Sequence, residues 1–353
     1  GNAAGQKYVT KYVVDLAVEP MITEIRIYAD KEGVLHIPKE YRSDVTYGAN
    51  VKALAVSLYS EGVMSNDRIA SFLNAAGNGE LELSEGSVYG FCKKLASVSQ
   101  TSISNLENEL LNQKVVATDA TVVTVNGKQN YIRNFSIKNS VVYHAMGGKS
   151  IEALKGLYFL KHYTGILLHD HETALYHFGT DHAECNVHII RYLRKNTEET
   201  GNAWSGEMSG LLCEMNRERK ELLGQGFPSF PPAILREYEE KYFSLIRKGE
   251  AENKTTRHKY AKKEEKTLLN RMDKYSHNHL LFLHDFSVPF DDNISERDLR
   301  KAKNRQKMAG GFRKESGSEM YCSIMTVIET LKKRKMGIIE NIKMLFMGTP
   351  AIF

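Results

Sequence analysis

Three carboxylates stand where phosphodiester chemistry could be built. Asp119 follows the β-rich run VVAT, Asp170 follows the apolar run ILLH, and Glu296 falls in the first turn of a helix opening near Ile294. Breaking or joining a phosphodiester requires a nucleophilic oxygen, a stabilised leaving oxygen and neutralised phosphate charge, which two Mg²⁺ ions about 4 Å apart supply together. Such hard ions take oxygen ligands, and Mn²⁺ can stand in for Mg²⁺. Taken singly, an Asp closing a strand is an ordinary turn residue, and a Glu in a first helical turn merely complements the helix dipole. What points to a metal centre is the order: two strand acids, then a helical acid heading a basic stretch. The acids lie 51 residues (119 to 170) and 126 residues (170 to 296) apart, so only the fold can bring them together.

That basic stretch, residues 297–314, holds eight Lys or Arg against the single acid Asp298, a net of +7 in a chain whose total is +5. Arg297, Arg300, Lys301, Lys303 and Arg305 are its candidate DNA contacts. A solvated basic face is the competing reading, but so concentrated a field suits a polyanion. Residues 247–274 are also basic, yet Glu250, Glu252, Glu264 and Glu265 interrupt them and predict a self-paired helix.

The elements that must position these groups follow from hydrophobic period. Residues 8–29 read as two β-rich runs around Glu19-Pro20, a hairpin within a first segment of 1–47. Residues 48–112 turn helical, with Ser65 and Ser84 at N-cap positions and Gly62 and Gly77 at helix ends. Three helices, the last carrying Lys93 and Lys94, read either as a helix-turn-helix DNA-binding module or as a plain bundle. Three β-rich runs then follow, with Asn126-Gly127 as a hairpin turn. A helix over 150–162 and the buried strand GILLHD come next. HETALYHFG and DHAECNVHIIRYLRKN read as helical. This β-β-β-α-β-α order, with acids closing the first and fourth strands, predicts an α/β, RNase H-like mixed-sheet core in two parts, 113–195 and 284–353. The charged helices of 196–283 are an insertion between them.

Other groups could also do chemistry. Cys185 and His188 form C-x-x-H, half of a zinc site by spacing, but no second pair exists and a structural role is favoured. His169, His171, His177 and His182 surround the same region; one could shuttle protons, whereas packing or surface roles suit each. Trp204 offers either a stacking wedge for DNA or a core side chain, of which the core is favoured.

The runs VVATDAT, YFLKHYTGILLHDHETALYHFG, HAECNVHIIRYLR and FDDNISERDLRKAKNRQKMAGGFRKESG resemble the IS66-type bacterial insertion-sequence transposases over roughly residues 8–335. The resemblance implies a DDE triad of Asp119, Asp170 and Glu296 on an RNase H-like core, and an enzyme that cuts terminal inverted repeats and joins them to target DNA. It further implies a homo-oligomer on DNA and element-encoded accessory proteins. A structure-specific nuclease or resolvase, or a decayed protein that only binds DNA, would share the same core. The sequence departs from the family pattern at Ala120, where Glu is usual, and at Asp292, where Asn is usual; Asp292, four residues before Glu296, is read as dispensable, the alternative being a shifted register in which Asp291 or Asp292 takes the place of Glu296. Residues 29–33 lack the Cys pairs of the family's zinc-binding segment.

With 42% hydrophobic and 26% charged residues the composition is that of a globular protein. No apolar run is long enough to span a bilayer, and the opening GNAAGQKYVTKYVV does not read as a secretory signal, so a bacterial cytoplasmic, nucleoid-associated protein without membrane contact is expected. Cys92, Cys185, Cys213 and Cys322 are too scattered for a ribbon or a disulfide framework.

Overall fold

The computed structural model describes all residues except 1–8, Ala17, Asp44, Gly62 and Val63. The expected hairpin over 8–29 falls partly outside them, and the described part contains no strand. Tyr12, Val13 and Ile22 there are 89%, 94% and 75% exposed. β-propensity alone does not make a sheet: two isolated strands without an apolar surface to cover are marginal in water.

Helix α1 (Ala49–Glu61), α2 (Asn66–Ala76) and α3 (Glu85–Val98) form the helical module. The Ser65 hydroxyl accepts the Arg68 N–H, Ser84 and Ser87 form a reciprocal capping box, and Gly77 closes α2, as their residue types predict. Gly62 lies outside the described residues. The long third helical run divides at Ser99 into α3 and α4 (Gln100–Leu111). Ser99 is fully buried and its hydroxyl bonds back to Leu95 O at 2.7 Å, a local bond that competes with the helical ladder.

Strands β1 (Val115–Val125) and β2 (Lys128–Ser136) form a hairpin whose turn residues Asn126 and Gly127 have φ of 49° and 72°, as a two-residue primed turn requires. β3 (Val141–Met146) continues the meander. The expected helix over 150–162 is two short ones, α5 (Ile151–Lys155) and α6 (Tyr158–His162), separated at Gly156. β4 (Ile166–His169) returns parallel to β1.

A fifth strand, β5 (Asp181–Glu184), lies parallel to β4 where the sequence reads as helix, and the sheet order is β3-β2-β1-β4-β5. Asp-His-Ala-Glu carries no apolar run to announce a strand. Its buried polar groups are satisfied by partners from distant helices, which residue type alone does not reveal. Alternation along the sheet sends Val116, Phe135 and Leu167 towards α4 to α6, and Ala117, Leu168 and Ala183 towards the opposite layer.

That layer comprises α7 (Asn186–Thr200), α8 (Ala203–Gly224), α9 (Pro232–Thr255), α10 (Lys259–Lys274) and α11 (Ser276–His284). Trp204 lies at its centre, fully buried, and donates to Glu265 at 2.7 Å; it is a core side chain. Gly249 permits the contact, because a Cβ there would stand 2.7 Å from the indole. Pairs such as Lys248–Glu207 and Lys266–Glu250 tie these helices to one another. Four further helices follow: α12 (Asn293–Asp298), α13 (Arg300–Ala309), α14 (Glu315–Lys333) and α15 (Ile338–Phe346). α14 and α15 join α1 to α3 in one core through Ile324, Ile328, Leu331 and Ile342.

β1 outruns its parallel neighbour. Its pairing with β4 covers Val115, Val116 and Ala117, so Asp119 is a mid-strand residue rather than a strand end. Further along, the strand is held from the other side: Thr124 N–H donates to Gln306 Oε1 at 2.7 Å, and Phe312 N–H donates to Thr124 O at 2.7 Å. Gly311, at φ 107°, is required by this contact, since a Cβ would lie 2.2 Å from Thr124 O. Among the described residues no helix is long and apolar enough to cross a membrane.

Candidate metal and nucleic-acid site

Asp119 sits on β1 opposite Asn134 of β2. The Asn134 amide, fully buried, accepts the Asp119 N–H at 3.1 Å and donates to Ser295 O at 2.9 Å, so one side chain ties the strand acid to α12. The neighbouring Thr118 hydroxyl receives a bond from the buried guanidinium of Arg133, whose other arm pairs with Glu172 at 2.6 Å. Burial and the charge of Asp170 raise the Asp119 carboxyl above its usual range, against the Ala120 N–H, Lys303 and Lys149, which pull it down. Lys303 Nζ stands 3.9 Å from Asp119.

Asp170 follows β4 directly, and the chain then turns through His171 at φ 71°, a left-handed conformation that a non-glycine residue keeps only when its surroundings impose it. Glu184 of β5 supplies that constraint. Its carboxylate accepts from His171 and Tyr176 at 2.5 Å each, from Arg271 at 2.6 Å and from His279 at 3.3 Å. Burial works to raise Glu184, but the bonds from His171 and His279 and the charge of Arg271 outweigh it and hold the group well below the carboxylate range. This network, which binds the sheet to α10 and α11, escapes sequence reasoning because its members are scattered from 171 to 279. His169 is fully buried against His182 and is pushed down to about 3, mainly by burial, so it stays neutral as a core residue.

Glu296 lies in the first turn of α12, as its sequence position predicts. It faces α7: its carboxylate is 3.4 Å from His188 and 3.9 Å from Arg191, and ligand atoms of Cys185, His188 and Glu296 lie within 4.8 Å of one another. Burial pushes the Cys185 thiol up to about 11, so it is not a ready thiolate ligand at neutral pH. Its sulfur instead accepts the Asp292 N–H at 3.3 Å. The C-x-x-H pair therefore touches α12 at both ends of its first turn.

Asp292, read from sequence as dispensable, is 1% exposed. Burial drives its carboxyl well above the usual range and the charges of Asp119, Asp170 and Glu296 push the same way, with Ser295 opposing. The charge of Asp292 thus acts together with those of Asp119, Asp170 and Glu296, whereas among the described residues the one group of three ligand side chains within 4.8 Å of one another is Cys185, His188 and Glu296. At the other end of α12, Asp298 is clamped by Lys333 at 2.6 Å and by the Ser136 hydroxyl at 2.7 Å.

The basic residues divide into two groups. Arg297, Arg300 and Lys303 are exposed, Lys303 beside Asp119, and Lys93 and Lys94 are exposed on α3. Lys301 is paired with Glu61 and Glu329, and Arg305 stacks over Tyr59, Phe312 and Tyr321 at 4.6, 5.2 and 4.9 Å. Both of these fasten α13 to the helical module. The motif spacing on α13 shows charge but not which charges are already occupied.

The family model described as Transposase IS66 family matches residues 44–320, most of the chain and a span that contains Asp119, Asp170, Asp292 and Glu296. No curated protein matches the chain.

Proposed function

From the premise that the chain belongs to the IS66 family of transposases, with DNA as its partner, we propose that it cuts the ends of its element and joins them to target DNA, and that Asp119, Asp170 and Glu296 hold two divalent cations. The observation that carries this reading is the fastening of α12 to β1 by Asn134, which brings the helical acid's segment to a strand acid already coupled to Asp170. The sheet order, with β4 and β5 parallel to β1 beyond an antiparallel meander, supports an RNase H-like core.

The donors fit the ion class: Asp119, Asp170 and Glu296 offer carboxylate oxygens, which suit Mg²⁺ or Mn²⁺, and the charge of Asp170 that helps raise the Asp119 carboxyl is what a cation relieves. Bound there, such ions would supply charge neutralisation and an activated oxygen nucleophile. The chain's own residues do the positioning. Arg133 and Asn134 fix the strand beneath Asp119, Glu184 fixes the turn after Asp170, and His188 orients Glu296. The exposed Arg297, Arg300 and Lys303, the last beside Asp119, would hold DNA phosphates, with Lys93 and Lys94 engaging the duplex from α3.

The test is strand-resolved product analysis on DNA carrying the element ends, with Mg²⁺ or Mn²⁺. Asp119→Asn, Asp170→Asn and Glu296→Gln should each retain DNA binding and lose cleavage and joining together. Cleavage surviving in any of the three sinks the assignment; cleavage without joining of pre-cut ends would make the protein a nuclease instead.

A further inference from the structure

The first turn of α12 contains an anomaly. Asp292 occupies the N-cap of that helix, where an Asp side chain ordinarily accepts an N–H from the next turn, yet it makes no capping bond. Its backbone, at φ −101° and ψ 29°, lies outside the extended range that aims an N-cap side chain at the next turn, and the neighbouring Asp291 carboxylate accepts the Asn293 N–H at 3.2 Å. Asp292 is 1% exposed, and neither carboxylate oxygen meets a donor in hydrogen-bond geometry among the described residues; the Ser295 hydroxyl, close enough to act on the carboxyl, bonds the Asp292 backbone O at 3.4 Å instead. A buried carboxyl without partners is costly, and native structures rarely keep one without a use.

Its backbone leaves little freedom in where it sits. The Asp292 N–H is fixed on Cys185 Sγ, the preceding Phe290 O accepts the Asn186 N–H at 3.0 Å, and Asp292 O accepts the Glu296 N–H at 3.2 Å. Cys185 N–H in turn donates to His169 O, so the anchor is continuous with the end of β4 and hence with Asp170. On the other side, Ser295 O is held by Asn134, which also holds Asp119. Asp292 is therefore tied through Cys185 to the end of β4 and through Ser295 and Asn134 to β1, and the charges of Asp119, Asp170 and Glu296 all act on its carboxyl.

We propose that Asp292 is a fourth cation-binding carboxylate of this centre, turned away from its own helix to face divalent metal between the strand acids and Glu296. This rests on the metal-centre reading above and deepens it: the site takes four acids, and the extra negative charge favours a doubly charged, oxygen-seeking cation. It reverses the expectation that Asp292 is dispensable.

The experiment is Mn²⁺ binding to the full chain without DNA, followed by the loss of the free-ion paramagnetic resonance signal, with the Mn²⁺-induced rise in melting temperature as a second readout. Wild type is compared with Asp292→Asn, Asp292→Ala and Asp119→Asn. Because changes one shell away from a metal already weaken binding by about 10- to 100-fold, both Asp292 variants should raise Kd at least about tenfold and shrink the melting shift. Wild-type Kd in Asp292→Asn alongside weakened binding in Asp119→Asn overturns the fourth ligand and leaves the triad standing. Weakening confined to Asp292→Ala also overturns it, since the amide keeps the size and loses the charge. Wild-type Kd in all three variants defeats the metal centre itself.

Discussion

Glu184→Gln is the perturbation whose size the structure fixes best. The wild-type carboxylate is buried and accepts from four donors, those of His171, Tyr176, Arg271 and His279. An amide of the same shape keeps one acceptor oxygen and turns an NH₂ towards two donors, leaving Arg271 facing N–H instead of charge. A neutral hydrogen bond is worth about 1 kcal/mol, whereas removing one partner of a buried ion pair costs about 3–5 kcal/mol. Arg271 is half-buried and its Nε already lacks a partner among the described residues, so the larger figure applies. Equilibrium urea unfolding of the two proteins at pH 7 should show that loss. The pH dependence gives an independent check. The folded-state pKa of Glu184 is depressed, so its contribution is complete above the unfolded value of about 4.3 and is lost as pH falls towards the lower folded value. The gap between wild type and variant should be constant from pH 7 down to about 5 and narrow below about 4.3. A loss under about 1 kcal/mol, or a gap that stays constant through pH 4, would refute the reasoning. Glu237→Gln, which breaks only an exposed pair with Lys241, should unfold like wild type.

Two further outcomes follow from the same geometry. Arg300→Gln with Lys303→Gln should weaken binding to all DNA sequences alike and reduce the salt slope by roughly 0.9 for each phosphate no longer neutralised, whereas Arg305→Gln should lower stability because no guanidinium then stacks on the three rings; filter-binding across a salt series and thermal melts separate the two. Trp204→Phe should destabilise by about 1–3 kcal/mol in urea unfolding because Glu265 loses a buried donor, and Gly249→Ala should destabilise too through collision with the indole.

Much of the architecture is legible because residue type and period agree locally. The Val-rich alternation of β1, the Asn126-Gly127 turn and the serine caps at 65 and 84 each follow from chemistry within a few residues. β5 is not legible, because what buries Asp-His-Ala-Glu is a set of partners on α10 and α11. The described part of the segment 8–29 misleads for the opposite reason: strand-forming residues lie there exposed, with no strand formed. Asp119 and Glu296 can be picked out from their neighbours in sequence. The burial of Asp292 cannot, since it depends on Cys185 and Asn134 far away in the chain. Nor can sequence tell Arg305, stacked on rings, from the exposed Arg300.

The anchoring of α12 on Cys185 and Asn134 has a consequence for the timing of synthesis. Strands β1 to β5 emerge from the ribosome long before residues 290–298, and until those residues arrive the sheet carries two acids with nothing to close over them. The helical module waits longer still, because its inner face packs on Ile324, Ile328 and Leu331 of α14. A chain interrupted before residue 290 lacks Asp292 and Glu296 as well as the α14 surface on which the helical module packs, so under the function proposed above fragments left by premature termination would make no stray breaks in DNA.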